Sequence, residues 1–158
     1  MVRLGDVDVS FVPAGHVLGS AQIVLEHGGE RVVVSGDYKR RPDPTCPAFE
    51  PVPCDIFITE ATFGLPVFRH PATAEEIDRL LKRLHDNPDR CILVGAYALG
   101  KAQRLIAELR CRGHHEPVYI HGALQRLCDL YRSFGVPLGE LRPATGASKA
   151  ELRGTIVL

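Results

Sequence analysis

The stretches that decide the fold are PAGHVLGS at residues 13–20 and SGDYK at residues 35–39, together with the run between them. Residues 21–26 and 31–34 are rich in apolar and β-branched side chains, which is typical of strands. The tetrapeptide HGGE between them, residues 27–30, supplies a glycine pair for a tight turn. Two strands joined in this way form a β-hairpin, whose open ends lie side by side. We therefore expect the two glycine-containing stretches to meet in space.

Each of these stretches carries one side chain that could bind a metal. His16 lies in the first stretch and Asp37 in the second. A neutral imidazole and a carboxylate that converge on one point are suitable ligands for zinc. The residues alone leave a second interpretation open, in which His16 is a turn or core histidine and Asp37 holds its own turn through backbone hydrogen bonds.

Two further motifs follow in order. CDIFITEATFG at residues 54–64 ends a predicted strand on Glu60, and AYALGKAQR at residues 96–104 precedes a helical pattern. The four motifs together resemble the metallo-β-lactamase fold, and in particular its nucleic-acid-processing β-CASP branch. The two turns are similar to that fold's third and fourth metal-binding motifs, and the last motif is similar to the A-x-G-[KR]-A-Q helix start. The whole run is most similar to the bacterial ligase-associated DNA exonucleases, over nearly the full 158 residues.

The resemblance implies an α/β fold in two parts. Residues 1–65 would be the C-terminal part of a metallo-β-lactamase core, the second half of an αββα sandwich, and residues 66–158 a partial β-CASP domain with a parallel sheet. The patterning alone predicts a half-buried strand at residues 5–12 and a proline-rich, non-helical connector at 38–55. It predicts buried strands at 55–59 and 91–94, a further strand at 117–121, and helices at 73–85, 101–112 and 123–134, with Thr73 as the first helix's N-cap.

The resemblance also implies a zinc-dependent reaction. In the branch, two zinc ions hold and activate a water that attacks the phosphodiester phosphorus. His16 would then be a zinc ligand, Asp37 would bridge the two metals, and Glu60 would be a catalytic carboxylate that orients the water or a ligand histidine.

Three polar side chains are candidate substrate contacts, namely Lys39, Lys101 and Gln103. The last two lie at a predicted helix N-terminus, where backbone N–H groups and the helix dipole favour a phosphate. An ordinary helix start explains them as well. Nineteen basic and nineteen acidic residues leave no net charge, so composition neither indicates nor excludes a nucleic-acid partner.

One motif of the family is missing. Most zinc ligands in the branch come from an H-x-H-x-D-H run upstream of the first turn, and this sequence contains none. Since each catalytic zinc needs about three protein ligands, His16 and Asp37 cannot complete the site. We therefore expect a segment of a longer metal-dependent hydrolase, one that binds zinc weakly and has no nuclease turnover by itself.

Several interpretations of the function remain open at this point. The parent enzyme would be a DNA exonuclease of DNA repair, with DNA and, by resemblance, a DNA ligase system as partners. An RNA-processing β-CASP nuclease of the mRNA 3′-end type is the alternative. The chain could also be a non-catalytic nucleic-acid-binding fragment, or a subunit completed by another chain or by a homo-oligomer. Five cysteines without a C-x-x-C pair, no secretory signal and no long apolar run predict a cytoplasmic protein with reduced thiols and no membrane partner.

Overall fold

The computed structural model describes all of residues 1–158, which divide into two compact units, Met1–Arg69 and His70–Leu158. The first unit is built on strands, and the second alternates helices with strands. The expectation of an α/β chain is confirmed at this level. Each unit is described by itself below.

A five-stranded sheet forms the first unit. Its strands are β1 (Val2–Leu4), β2 (Val7–Pro13), β3 (Ala21–His27), β4 (Glu30–Val34) and β5 (Ile56–Ile58), in that order across the sheet. The first four strands pair antiparallel, and β5 pairs parallel to β4. The predicted hairpin is present as β3 and β4. Its turn has positive φ angles of 57° at Gly28 and 89° at Gly29, which a two-residue hairpin turn favours.

The proline-rich connector packs on one face of this sheet. Val24 and Val33 are buried there. The ring of Tyr38, on the connector, lies 5.1 Å from that of Phe49 and 6.4 Å from that of Phe57 between centroids. Phe57 shares this face because it is the cross-strand partner of Val33. The connector forms no helix, as its prolines predict.

Strand β5 differs from its prediction. The sequence predicts a buried strand, but all three of its side chains are exposed, Ile58 by 54%. β5 lies at the edge of the sheet and has β4 as its single neighbour. An apolar run predicts that a strand forms, whereas burial depends on what packs against it.

The second unit holds a four-stranded sheet in which every pair is parallel, as predicted. Its strands are β6 (Ile92–Leu93), β7 (Val118–Ile120), β8 (Leu141–Pro143) and β9 (Ile156–Val157), in the order β6-β9-β7-β8. The helices are α1 (Thr73–Asp86), α2 (Lys101–Cys111) and α3 (Gly122–Ser133). The core contains all of β7 together with Ile106, Leu109 and Tyr131 from the helices.

Two local predictions in this unit are wrong. Thr73 is the first residue of α1 rather than its N-cap, and the capping residue is Ala72, which makes no side-chain hydrogen bond. The Thr73 hydroxyl instead accepts a hydrogen bond from Arg104 Nη2 at 3.0 Å. Strand β6 is only two residues long, and Leu93 is 75% exposed rather than buried. None of the three helices combines the length and the apolar character needed to cross a membrane.

Candidate metal site

The turn that carries His16 depends on a glycine. Gly15 has a φ of +69°, and a Cβ added there would lie 2.5 Å from the Lys39 carbonyl oxygen and 2.7 Å from the Phe49 nitrogen. Both are backbone atoms, so no side-chain rotation could relieve the overlap. Ser20 Oγ accepts a hydrogen bond from the His16 N–H at 3.0 Å, so a second contact within the turn holds the backbone at His16. The position of His16 is therefore set by its neighbours in the chain.

Backbone hydrogen bonds join the two turns. Ala14 is fully buried between them. Its N–H donates to the Ser20 carbonyl at 3.1 Å, and its carbonyl accepts from the Lys39 N–H at 3.0 Å. In the second turn, the Ser35 N–H donates to the Ile58 carbonyl of β5 at 2.9 Å. The C-terminal ends of β2, β4 and β5 therefore lie together along one edge of the sheet, the edge formed by strand ends.

A buried amide ties the connector to this edge. The Gln22 side chain is almost fully buried, and its Nε2 donates to the carbonyls of Pro13 at 3.1 Å and Glu50 at 2.7 Å. Sequence reasoning missed this residue. The signal in the sequence was its spacing from Val24. The two residues are two apart on the same strand, so the amide points to the same face as an apolar side chain.

His16 and Asp37 lie together, as the hairpin predicts they can. His16 Nε2 and Asp37 Oδ2 are 3.8 Å apart, and their side chains are 44% and 75% exposed. Bonds from zinc to nitrogen and oxygen are each about 2.0–2.2 Å. Because the two donor atoms are closer together than the sum of two such bonds, one ion can contact both. The donor types and their spacing fit zinc.

The pair is not part of a larger group of metal ligands. Nowhere in residues 1–158 do three or more His, Cys, Asp or Glu side chains form a group that could hold a metal ion. His16 and Asp37 thus supply two donors, fewer than the roughly three that a zinc ion takes from a protein in a catalytic site.

Glu60 follows β5 at the same edge. Its Oε2 accepts a hydrogen bond from the Thr62 N–H at 2.7 Å. Hydrogen bonds from the Thr62 backbone and side chain lower the pKa of the Glu60 carboxyl, and the charge of His16 lowers it further. Glu60 is therefore an ionised acceptor near His16.

Lys39, predicted as a substrate contact, makes its observed contacts within the chain. Its Nζ pairs with the Asp43 carboxylate and approaches the His16 carbonyl at 3.4 Å, and the side chain is only 19% exposed. Burial raises the pKa of Asp43, but hydrogen bonds from Lys39 and Thr45 outweigh that effect and hold the pKa below its usual value. Lys39 stabilises the loop beneath His16 and has little surface to offer a substrate.

Of the two predicted contacts at the start of α2, one is accessible. Lys101 Nζ lies 5.0 Å from the centre of the exposed Tyr97 ring. Gln103 is fully buried. Its Oε1 accepts from the Gly100 N–H at 2.8 Å, and its Nε2 donates to the Ala98 carbonyl at 2.9 Å. Gln103 therefore fixes the turn before α2 and cannot touch a ligand in this structure.

No family model matches the chain. A probable DNA ligase from Opitutus terrae is 31% identical over 156 residues, which are 97% of this chain and 15% of that protein. Cleavage and polyadenylation specificity factor subunit 3 from Dictyostelium discoideum is 33% identical over 145 residues, 84% of this chain and 18% of that protein. Cleavage and polyadenylation specificity factor 73 from Drosophila melanogaster is 32% identical over 124 residues, 73% of this chain and 18% of that protein.

The chain belongs to the β-CASP branch of the metallo-β-lactamase fold. Its fold is also similar to that of a solved protein of unknown function from Enterococcus faecalis V583. The TM-score is 0.55 at 15% identity, over 99% of this chain and 39% of that one. This β-CASP chain spans less than a fifth of the length of the curated relatives described above.

Proposed function

We propose that this chain is part of a zinc-dependent exonuclease that hydrolyses phosphodiester bonds of DNA and serves DNA repair together with a ligase. The observation that carries the proposal is the convergence of His16 Nε2 and Asp37 Oδ2 to 3.8 Å at the edge where β2, β4 and β5 end. In this proposal, Met1–Arg69 corresponds to the metallo-β-lactamase part and His70–Leu158 to the β-CASP part.

Each residue of the site has a role that its position allows. Zinc, when bound, supplies a water whose pKa is near 7 and which can act as a nucleophile at neutral pH. His16, through the Nε2 of its neutral form, and Asp37, through its carboxylate, would hold the metal. Glu60, held ionised by Thr62, would orient the water or a ligand histidine as a hydrogen-bond acceptor.

The same geometry limits what this chain does alone. Two donors hold zinc more weakly than a full set, and both side chains are open to water, which competes for the metal. We therefore propose that residues 1–158 bind zinc weakly and have no nuclease turnover without further ligands.

The substrate could be DNA or RNA. Similarity to the Opitutus terrae probable DNA ligase over 97% of the chain favours DNA. The relatives named as cleavage and polyadenylation factors and as endoribonucleases favour RNA. We take DNA as the proposal because its relative matches more of the chain.

Zinc titration tests the metal site. His16→Ala and Asp37→Ala should each weaken zinc binding by about tenfold or more, because each removes one of two donors. The matched control is His27→Ala, since His27 Nδ1 lies 3.5 Å from an Asp6 oxygen in a second exposed His–Asp pair, at the opposite ends of β2 and β3 from His16. Loss of zinc binding in His27→Ala, or none in His16→Ala, would contradict the proposal.

Nuclease assays test the reaction. The chain should release no nucleotides from single-stranded DNA, duplex DNA or RNA with zinc present. Mixing it with a chain that carries H-x-H-x-D-H should restore DNA hydrolysis if the two together complete the site. Cleavage of RNA but not DNA in the mixture would favour the RNA alternative, and binding without cleavage that ignores chelator would favour a non-catalytic fragment.

A further inference from the structure

One tyrosine of the second unit is held at the surface beside a lysine. Tyr97 is 74% exposed, whereas Tyr119 and Tyr131 of the same unit are buried. The Lys101 ammonium lies 5.0 Å from the centre of the Tyr97 ring, within the range of a cation–π contact. We call these two residues the Tyr97–Lys101 pair.

Hydrogen bonds fix the turn that carries the pair. The Ala102 N–H, in the first turn of α2, donates to the Tyr97 carbonyl at 3.1 Å. The buried Gln103 amide donates to the Ala98 carbonyl and accepts from the Gly100 N–H. The backbone that presents the ring is therefore set before any ligand arrives, which lowers the entropic cost of binding.

The pair lies at the carboxyl edge of the parallel sheet. Residues 94–100 leave β6 at this edge and lead into α2. In open sheets of parallel strands, ligands bind outside the carboxyl ends of the strands. The position of Tyr97 therefore agrees with a ligand contact.

Charge distinguishes Lys101 from many other cations of this unit. Lys101 is exposed and has no carboxylate within ion-pair distance, so its ammonium meets the Tyr97 ring instead. The unit contains 13 Lys and Arg residues against 10 Asp and Glu residues, so its net charge is positive and a polyanion is a favoured partner. Six of the other cations do pair with a carboxylate: Arg79, Lys82, Arg104, Arg112, Arg132 and Arg142.

Further protein packed on the ring explains the pair less well than a nucleotide does. Apolar packing there would take the Lys101 ammonium out of water without a countercharge, which is costly. A nucleotide offers a flat base to the ring and a phosphate to the ammonium, so it satisfies both side chains at once.

We propose that the Tyr97–Lys101 pair binds one nucleotide of a single strand. The base stacks on the ring face opposite Lys101, and a neighbouring phosphate pairs with the ammonium. A base inside a duplex is already stacked on both sides, so only an unpaired nucleotide reaches the ring. Every base has a π face, so the contact reads no sequence. The inference rests on the proposed function in that it takes a nucleic acid as the substrate.

The test is the affinity of the chain for a fluorescein-labelled single-stranded DNA of about 12 nucleotides, measured by fluorescence anisotropy with EDTA present. Tyr97→Ala should weaken binding by about 5- to 150-fold, the loss expected for one base–aromatic stack. Tyr97→Phe keeps the ring and should stay within about twofold of wild type. The matched control is Phe134→Ala, which removes an exposed aromatic ring from the C-terminal end of α3 and should leave the affinity unchanged.

Two further measurements separate stacking from charge. An oligonucleotide of abasic residues should bind wild type and Tyr97→Ala equally, because it has no base to stack. Lys101→Ala should reduce the slope of log affinity against log salt by about 0.7, the contribution of one phosphate contact on a single strand. Lys149→Ala, which removes another exposed lysine of this unit, should leave that slope unchanged.

Circular dichroism spectra of all variants would establish that they fold. Equal affinities of wild type and Tyr97→Ala would overturn the proposal, as would an equal loss in Tyr97→Phe or in Phe134→Ala. Duplex DNA bound as tightly as the single strand, or no binding by wild type at the highest soluble concentration, would also overturn it. Tighter binding of an RNA of the same sequence, still dependent on Tyr97, would support the site and assign it to RNA.

These outcomes are separate from those of the zinc titration, because EDTA removes the metal. Binding that depends on Tyr97 would stand even if His16 and Asp37 held no zinc. Loss of the Tyr97 effect would leave the metal site as it is.

Discussion

Gly15→Ala should disrupt the turn that holds His16 far more than Gly19→Ala does. Both glycines have positive φ angles, +69° and +80°, so alanine pays about 1–2 kcal/mol at each for the left-handed conformation. At Gly19 a Cβ meets nothing within 4 Å, whereas at Gly15 it overlaps the backbone of Lys39 and Phe49 at 2.5 and 2.7 Å. Forcing those segments apart adds about 1–3 kcal/mol.

The difference between the two variants isolates the overlap. The gain from restricting the unfolded chain, about 0.4–1 kcal/mol for glycine to alanine, is common to both and cancels. We therefore expect Gly15→Ala to lower the free energy of unfolding by about 1–3 kcal/mol more than Gly19→Ala. Zinc affinity should fall further in Gly15→Ala as well, because the turn that positions His16 shifts.

Hydrogen exchange of the β3 amides is the suitable assay. It reports opening of the first unit by itself, whereas one denaturation curve for a chain of two units does not define a single free energy. If the exchange free energy of β3 fell by the same amount in Gly15→Ala and Gly19→Ala, to within about 0.5 kcal/mol, the close approach at Gly15 would not be rigid. In that case the account of this turn would be refuted.

Three further predictions concern polar side chains with partners inside the chain. Gln22→Leu should destabilise the first unit by about 1–3 kcal/mol, because the Glu50 carbonyl loses its donor, and it should speed β3 exchange. Asp43→Asn should lower the melting temperature most at pH 5 and above. Since the folded pKa of Asp43 lies below its usual value, the stabilisation by the charged form is lost as pH falls through that folded pKa. The difference from wild type should therefore shrink towards pH 3, and a constant difference would contradict the ion pair with Lys39. Arg110→Lys should lower the exchange free energy of the β7 amides by about 2–4 kcal/mol, because the guanidinium donates to four backbone carbonyls and one ammonium cannot reach them all. A change below about 0.5 kcal/mol would be inconsistent with that arrangement.

Local patterns predicted the elements of this chain well. The Gly28-Gly29 turn and its flanking β-branched residues were enough to predict the hairpin, and with it the approach of His16 to Asp37. The alternation of predicted helices and strands likewise predicted the parallel sheet of the second unit. These features depend on backbone geometry and hydrophobic periodicity, and neighbouring residues in the sequence determine both.

Burial and side-chain partners could not be predicted in the same way. Ile58 is as apolar as a core residue, yet it is exposed, because no other segment of Met1–Arg69 covers the face of β5 that carries it. Lys39 and Gln103 occupy motif positions suited to a ligand, but Asp43 and the Gly100 turn take their hydrogen bonds. Such outcomes depend on which residues, distant in sequence, pack against a side chain in the folded chain. A short motif contains no information about those residues.

The central claim is that the chain holds part of a zinc site and not the whole of it. Elemental analysis of the purified 158-residue chain, after gel filtration without added metal, tests this claim most directly. The account predicts far less than one zinc ion per chain, and less still in His16→Ala and Asp37→Ala. Close to two zinc ions per chain, absent from both variants, would contradict it and would mean that donors beyond His16 and Asp37 complete the site.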